Sequence, residues 1–301
     1  MQEPSPSPES AIYAGIAAAL GSFLLWGFSP LYYRAVGAAS VTEILSHRVV
    51  WSLLLTLVFV ALSGRFALFR RVLTDARLLG TLAFSALLVS LNWGLFIWAV
   101  NNEHALEASM GYFIMPIVMV LLGRVFLAEQ LNGRRWFALI LVSAGVLNIL
   151  LMLGRFPWIA LGLAVSFGLY SLVRKQAPVD ALLGLTVECL LLLPLALVYL
   201  WMLGSDDRLV FGTLGTGFDL LITASALMTA LPLLLFTYST KQLRLGTVGI
   251  LQYLNPTCQF LLAVLLFGEP FTTPHLVTFL CIWTGLIIFT LDSHRQLQRI
   301  R

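Results

Sequence analysis

Apolar residues fill run after run of this chain, and the polar positions gather in the gaps between the runs. A helix needs about 20 apolar residues to cross a bilayer. Runs of that order recur at 11–33, 42–62, 78–100, 105–127, 133–153, 157–175, 181–203, 217–240, 245–267 and 273–292. They predict an all-α polytopic membrane protein with ten transmembrane helices, and nothing substantial is left over for a soluble domain. Composition agrees: 59% of residues are hydrophobic, 11% are charged and the mean hydropathy is +0.94. A soluble domain carries about 25% charged residues.

The first ten residues, MQEPSPSPES, carry two glutamates and no basic side chain. They do not form the n-region of a cleavable signal, and the run that follows is too long for an h-region. Residues 1–10 are therefore expected to be a disordered cytoplasmic tail and 293–301 a basic cytoplasmic one. With the N-terminus inside, fourteen of the eighteen Lys and Arg residues fall on the cytoplasmic side. Arg34, Arg48, Arg155 and Arg208 fall on the other. This is the positive-inside pattern, and it outweighs the reading of a net charge of +4 as a nucleic-acid footprint. Cys189, Cys258 and Cys281 are far apart within apolar runs and read as small hydrophobes, not as a disulfide or metal set.

Shifting the chain by 140 residues lays its second half over its first: SALLVSLNWGLFIW (85–98) falls on SALMTALPLLLFTY (225–238). The same offset pairs Pro116 with Pro256, Glu129 with Glu269 and Gly145 with Gly285. Five spans in each half (11–153 and 154–292) would insert the second half upside down. That is the inverted repeat of many secondary transporters. Matched proline interruptions point in such folds to the binding site, so Pro116 and Pro256 are expected as helix breaks. They would free the carbonyls of Tyr112 and Gln252, each four residues back.

Ionisable residues inside spans are costly and face a cavity or a partner. Glu43, His47 and Arg48 lie in span 2, Arg48 about 10 Å from one edge; Glu188 of span 7 lies about 12 Å from the other. In a ~30 Å core the two are separated in depth by about 8 Å. They read either as a structural pair or as a solute-facing cation with a carboxylate that carries a proton. Asn92 and Trp93 in span 3, Tyr112 in span 4, and Gln252, Tyr253 and Asn255 in span 9 add hydrogen-bonding and aromatic surface suited to a small molecule. Glu107, at the end of span 4, reads as a gate or a solvated end. Glu188, Glu107, Glu43 and His47 are thus the candidates for proton coupling or gating.

The sequence contains no HExxH, no GxxxxGK[ST] and no CxxC, and EASMG (107–111) has Glu107 where a nucleophile elbow needs glycine. No enzyme, metal or cofactor is expected. Without a P-loop, uphill transport would draw on an ion gradient.

Six stretches carry a family resemblance: LLWGFSPLYYR (24–34), EILSHRVVWS (43–52), NWGLFIWAVN (92–101), LEASMGYFIMPIVMVLLGRVFLAE (106–129), SFGLYSLVRK (166–175) and QYLNPT (252–257). The chain resembles the bacterial RarD family, in the EamA branch of the drug/metabolite transporter superfamily. That resemblance implies a ten-helix permease of the bacterial inner membrane with two inverted repeats; it names no solute. The reading is a secondary transporter, an exporter on family grounds, of a small polar or amphipathic metabolite or drug. It would work by alternating access around a site lined by spans 1, 3, 4, 6, 8 and 9. Its partners would be the lipid bilayer, the solute and protons, with no nucleic acid. An uncoupled facilitator or channel, or a membrane scaffold without transport, are the alternatives.

Overall fold

The computed structural model describes residues 8–102, 104–151, 156–266 and 273–298, and every regular element among them is a helix. In order these are α1 (Pro8–Ala35), α2 (Val41–Leu62), α3 (Phe66–Thr74), α4 (Ala76–Asn101), α5 (Ala105–Phe126), α6 (Gly133–Leu151) and α7 (Trp158–Gln176). The rest are α8 (Ala181–Ser205), α9 (Thr216–Thr223), α10 (Ser225–Gln242), α11 (Leu245–Leu251), α12 (Leu254–Leu265) and α13 (Thr273–Gln298). Within the stretches expected as tails, α1 includes residues 8–10 and α13 runs on to residue 298. Residues 1–7, Arg155, Glu269, Arg299 and Arg301 lie outside the described residues.

Among the described residues, seven helices are long and apolar enough to cross a membrane: Ser10–Ala35, Val41–Leu62, Ala76–Phe96, Glu107–Phe126, Gly133–Leu151, Ala181–Ser205 and Thr216–Gln242. The other three expected spans coincide with α7, with α11 and α12 together, and with α13, whose apolar part is the shorter stretch Leu276–Asp292. Leu147 of α6 and Leu195 of α8 are 54% and 69% exposed, a placement suited to lipid. The chain is a multi-pass helical membrane protein.

The helix starts recur at the sequence offset: Val41 and Ala181, Ala76 and Thr216, and Ala105 and Leu245 are each 140 apart. The caps recur with them. Ser40 Oγ accepts the Glu43 N–H at 3.1 Å, and Asp180 Oδ1 accepts the Leu183 N–H at 3.0 Å. Each satisfies an amide that the first turn leaves free.

Two compact units emerge, Met1–Leu91 with Val173–Gln242, and Asn92–Leu172 with Leu243–Arg301. In the first, α1 packs on α10, and α2 packs on α8. Phe23 and Phe236 meet edge to face at 6.1 Å, and Ser22 ties α1 to the Pro232 carbonyl. In the second, α6 packs antiparallel on α13 at two glycines. A Cβ on Gly145 would meet Cys281 Cβ at 2.7 Å and the Thr278 carbonyl at 3.0 Å. A Cβ on Gly285 would meet Val142 at 2.5 Å and the Ala138 carbonyl at 3.0 Å. The offset of 140 turns the Gly145–Thr278 contact into the Gly285–Ala138 contact, so both glycines serve the same close approach.

Candidate functional site

The candidate residues divide between the units. In the first unit, Thr42 of α2 meets Tyr199 of α8, and Val60 clusters with Leu183 and Val187. The helices are therefore antiparallel, and Glu188 lies opposite residue 53, about 8 Å along the axis from Arg48 at 1.5 Å per residue. Arg48 donates from Nε to Thr229 Oγ1 at 2.6 Å and from Nη1 to the Tyr33 hydroxyl at 2.9 Å. Glu188 accepts a hydrogen bond from Ser85. Glu188 also forms an ion pair with Arg174, at 3.4 Å. Both side chains of this pair are essentially inaccessible, at 0% and 2%. Gly184 makes room for it, since a Cβ there would fall on the Arg174 guanidinium.

Arg174 went unnoticed in the sequence because it ends an apolar run and read as a loop charge. The signal was the short turn after it: a hairpin from α7 to α8 sets an arginine at the end of one helix beside a glutamate two turns into the next. Ser85, Thr229 and Tyr33 carry no signal of their own, as hydroxyls scattered through apolar helices are common.

Glu43 and His47, also in the first unit, are buried on α2. Glu43 Oε1 accepts the N–H groups of Val210 and Phe211, both at 2.9 Å. The His47 ring lies 4.6 Å from that of Phe211. The loop carrying Phe211 was not singled out in the sequence.

In the second unit, Glu107 is neither a solvated end nor open to solvent: it is 1% exposed and takes the Ile159 N–H at 2.8 Å in the first turn of α7. Asn92 is likewise engaged, donating to the Leu163 carbonyl and to Ser166 Oγ, and Trp93 is half-buried beside it. Glu129 reaches back to the Leu245 and Gly246 amides of α11. It is aimed there by a turn at Ala128, whose φ of 52° is unusual for a residue with a Cβ.

The two prolines behave differently. α5 runs unbroken through Pro116, so Pro116 is no helix break. The interruption between α11 and α12 falls at Gln252 and Tyr253, and Pro256 sits in the first turn of α12. There a missing amide costs nothing, because first-turn amides have no helical acceptor. The Gln252 carbonyl is not left free either; it accepts the Asn255 N–H at 3.0 Å. Prolines also lie inside α1, α8 and α10, so the matched pair is not distinctive by itself.

What remains of this group is a tight crossing of α5 and α11. A Cβ on Gly249 would meet the Pro116 carbonyl and Met119 Cβ, each at 2.9 Å. Beside the crossing, the Tyr253 hydroxyl donates to the Phe113 carbonyl at 2.9 Å. Gln252 points its amide at Met115 Sδ and leaves Oε1 without a protein partner. Asn255 accepts from Gln259 at 2.9 Å, and Tyr112 meets Phe96 edge to face.

Comparison with known proteins matches the EamA-like transporter family twice, over residues 13–151 and 157–291. Protein RarD of Salmonella typhi is 43% identical over 279 residues, covering 93% of this chain and 95% of that protein. An uncharacterized transporter of Vibrio cholerae is also 43% identical, covering 93% of this chain and 92% of its own length. A solved crystal structure shares the fold with a TM-score of 0.68 at 17% identity, across 96% of this chain and 99% of that one. Apolar helices in number, a doubled family match and relatives of nearly equal length converge on one assignment: the chain belongs to the EamA-like transporter family, within its RarD group.

Proposed function

We propose that the chain is a secondary transporter of the bacterial inner membrane, moving a small polar or amphipathic solute outward by alternating access. Ten spans form two inverted five-helix repeats, 11–153 and 154–292, with both termini in the cytoplasm. The observation that carries this reading is the constant offset of 140 in helix starts and in the Gly145 and Gly285 contacts. Such duplication supports two halves of opposite orientation that can exchange two arrangements. α7, the interrupted α11–α12 and α13 count as the remaining spans, since less apolar or broken helices are tolerated where protein or a cavity covers them.

Arg48 is the solute-facing cation of this proposal, and its ligand a carboxylate. A guanidinium offers a planar fork of donors that matches a carboxylate in two bonds. Metabolite profiling of a deletion strain against an overexpressing one names the solute, and flux of that solute in proteoliposomes tests the activity. Wild-type vesicles should move it, and vesicles with Arg48→Ala should not. Absence of flux with wild-type protein would leave a scaffold role standing instead. Reporter fusions after residue 70 and after residue 298 should both report cytoplasm and one at Asp206 the opposite side; a cytoplasmic signal at Asp206 would remove the inverted repeat.

A further inference from the structure

α2 carries Glu43, His47 and Trp51 four residues apart, so the three side chains follow one another along one face. Over that face folds the 206–215 segment, which leads from α8 to α9 within the first unit. Glu43 holds it by the two backbone amides of Val210 and Phe211. The Phe211 ring covers His47 at 4.6 Å and Trp51 at 6.3 Å. Beneath this roof Glu43 Oε2, both ring nitrogens of His47 and Trp51 Nε1 are buried with no protein hydrogen-bond partner. Glu43 is 0% and His47 6% exposed. Buried polar atoms without partners are rare in native proteins and mark places where something else binds.

We propose that Glu43 and His47 form a proton-binding site, and that the 206–215 segment is the gate it controls. This deepens the transport reading, on which its purpose rests, by naming where the coupling ion is taken up. One proton from the solvent at this end of the bundle comes to lie between Glu43 Oε2 and the imidazole. It drains charge from the carboxylate, and the bonds from Val210 and Phe211 to Oε1 become ordinary ones. Hydrogen bonds to an ionised carboxylate are about twice as strong as neutral ones, so loading the site loosens the roof.

The surrounding groups leave this pair to act. Asp219 of α9 is close enough to bear on the imidazole and accepts the Gly212 N–H at 2.8 Å. Arg48, next on α2, is engaged with Thr229 of α10 and Tyr33 of α1. Tyr32 of α1 donates to the Leu221 carbonyl at 2.9 Å, and Tyr199 of α8 meets Thr42. Asp206, Asp207 and Arg208 on the segment itself are exposed.

Amide hydrogen exchange by mass spectrometry tests the proposal on the full chain in lipid nanodiscs, from pH 5 to 8, with intrinsic rates divided out. Wild-type protection of peptides spanning 209–212 should fall about tenfold on acidification, as the charge-assisted bonds are lost. Glu43→Gln should show the low protection at every pH. His47→Phe, which keeps a ring on Phe211, should remove the step from this range. Peptides from α6, in the other unit, report whether the variants are folded. A flat wild-type profile, or a Glu43→Gln profile that titrates like the wild type, would overturn the proposal. No solute enters the measurement, so that failure would leave solute flux in proteoliposomes untouched, and absent flux would leave the proton site standing.

Discussion

Glu188 and Arg48 stand 140 residues apart, at equivalent places in α8 and α2, and their surroundings differ. Glu188 has a hydroxyl, Ser85, and an opposite charge, Arg174, packed so closely that Gly184 cannot carry a side chain. Arg48 donates to two neutral hydroxyls, Thr229 and Tyr33. A buried ion pair cancels its own field, and what it contributes is mostly the penalty avoided by not leaving one member alone. These hydroxyls hydrogen-bond the guanidinium without themselves adding an opposite charge. On the transport function proposed above, the Arg48 cluster is the place to test for solute and the Glu188 cluster the place to test for stability.

The largest effect expected from this contrast is on stability. Arg174→Gln removes the cation beside Glu188 and should cost about 3–5 kcal/mol, the range for breaking one side of a buried pair. Thermal unfolding in detergent would show it. The double variant Arg174→Gln/Glu188→Gln should recover most of the loss, because no buried charge is then stranded. Equal destabilisation in the single and double variants would break the comparison, since the pair would not be a closed unit.

Helical architecture was legible in the sequence because a bilayer imposes length and apolarity on every span. The offset of 140 was legible for a related reason: a close helix approach tolerates only small residues, and it must occur in both halves at Gly145 and Gly285. Side-chain pairing was far less visible. Depth along a helix follows from counting residues, and the Arg48–Glu188 offset of about 8 Å follows from the register as it did from the spans. Direction around the helix does not, and the pairing of Glu188 with Arg174 depends on it. The prolines failed for a local reason. Pro116 and Pro256 look alike in sequence, yet one lies inside a continuous helix and the other in a first turn. Glu107 and Glu129 were visible as charges at span ends, but the amides they cap belong to α7 and α11, far along the chain.

Arg48→Gln sharpens the contrast from the other side. It removes two hydrogen bonds from a charged donor, worth about 1.5–3 kcal/mol each before compensation. It also removes the cost of burying the charge, so the net loss should be about 2 kcal/mol or less. Solute binding should disappear while the unfolding temperature moves less than in Arg174→Gln. If Arg48→Gln destabilised the protein as much as Arg174→Gln, both clusters would be architectural and the solute would have to be sought elsewhere.

The smallest effect is the most discriminating in sign. Thr229→Val deletes the acceptor of the 2.6 Å bond from Arg48 Nε while keeping a side chain of similar shape on the buried face of α10. The empty protein should lose about 1 kcal/mol. If a solute carboxylate takes Arg48 away from Thr229, the bound protein has already given that bond up and loses nothing further. The substitution then raises solute affinity, by about fivefold for 1 kcal/mol. If Thr229 instead stays on Arg48 while the solute is bound, the affinity is unchanged. A fall in affinity would mean that Thr229 itself holds the solute, and that the two clusters differ in which hydroxyl serves them as well as in charge. Isothermal titration of wild type and Thr229→Val with the solute named by metabolite profiling decides among the three.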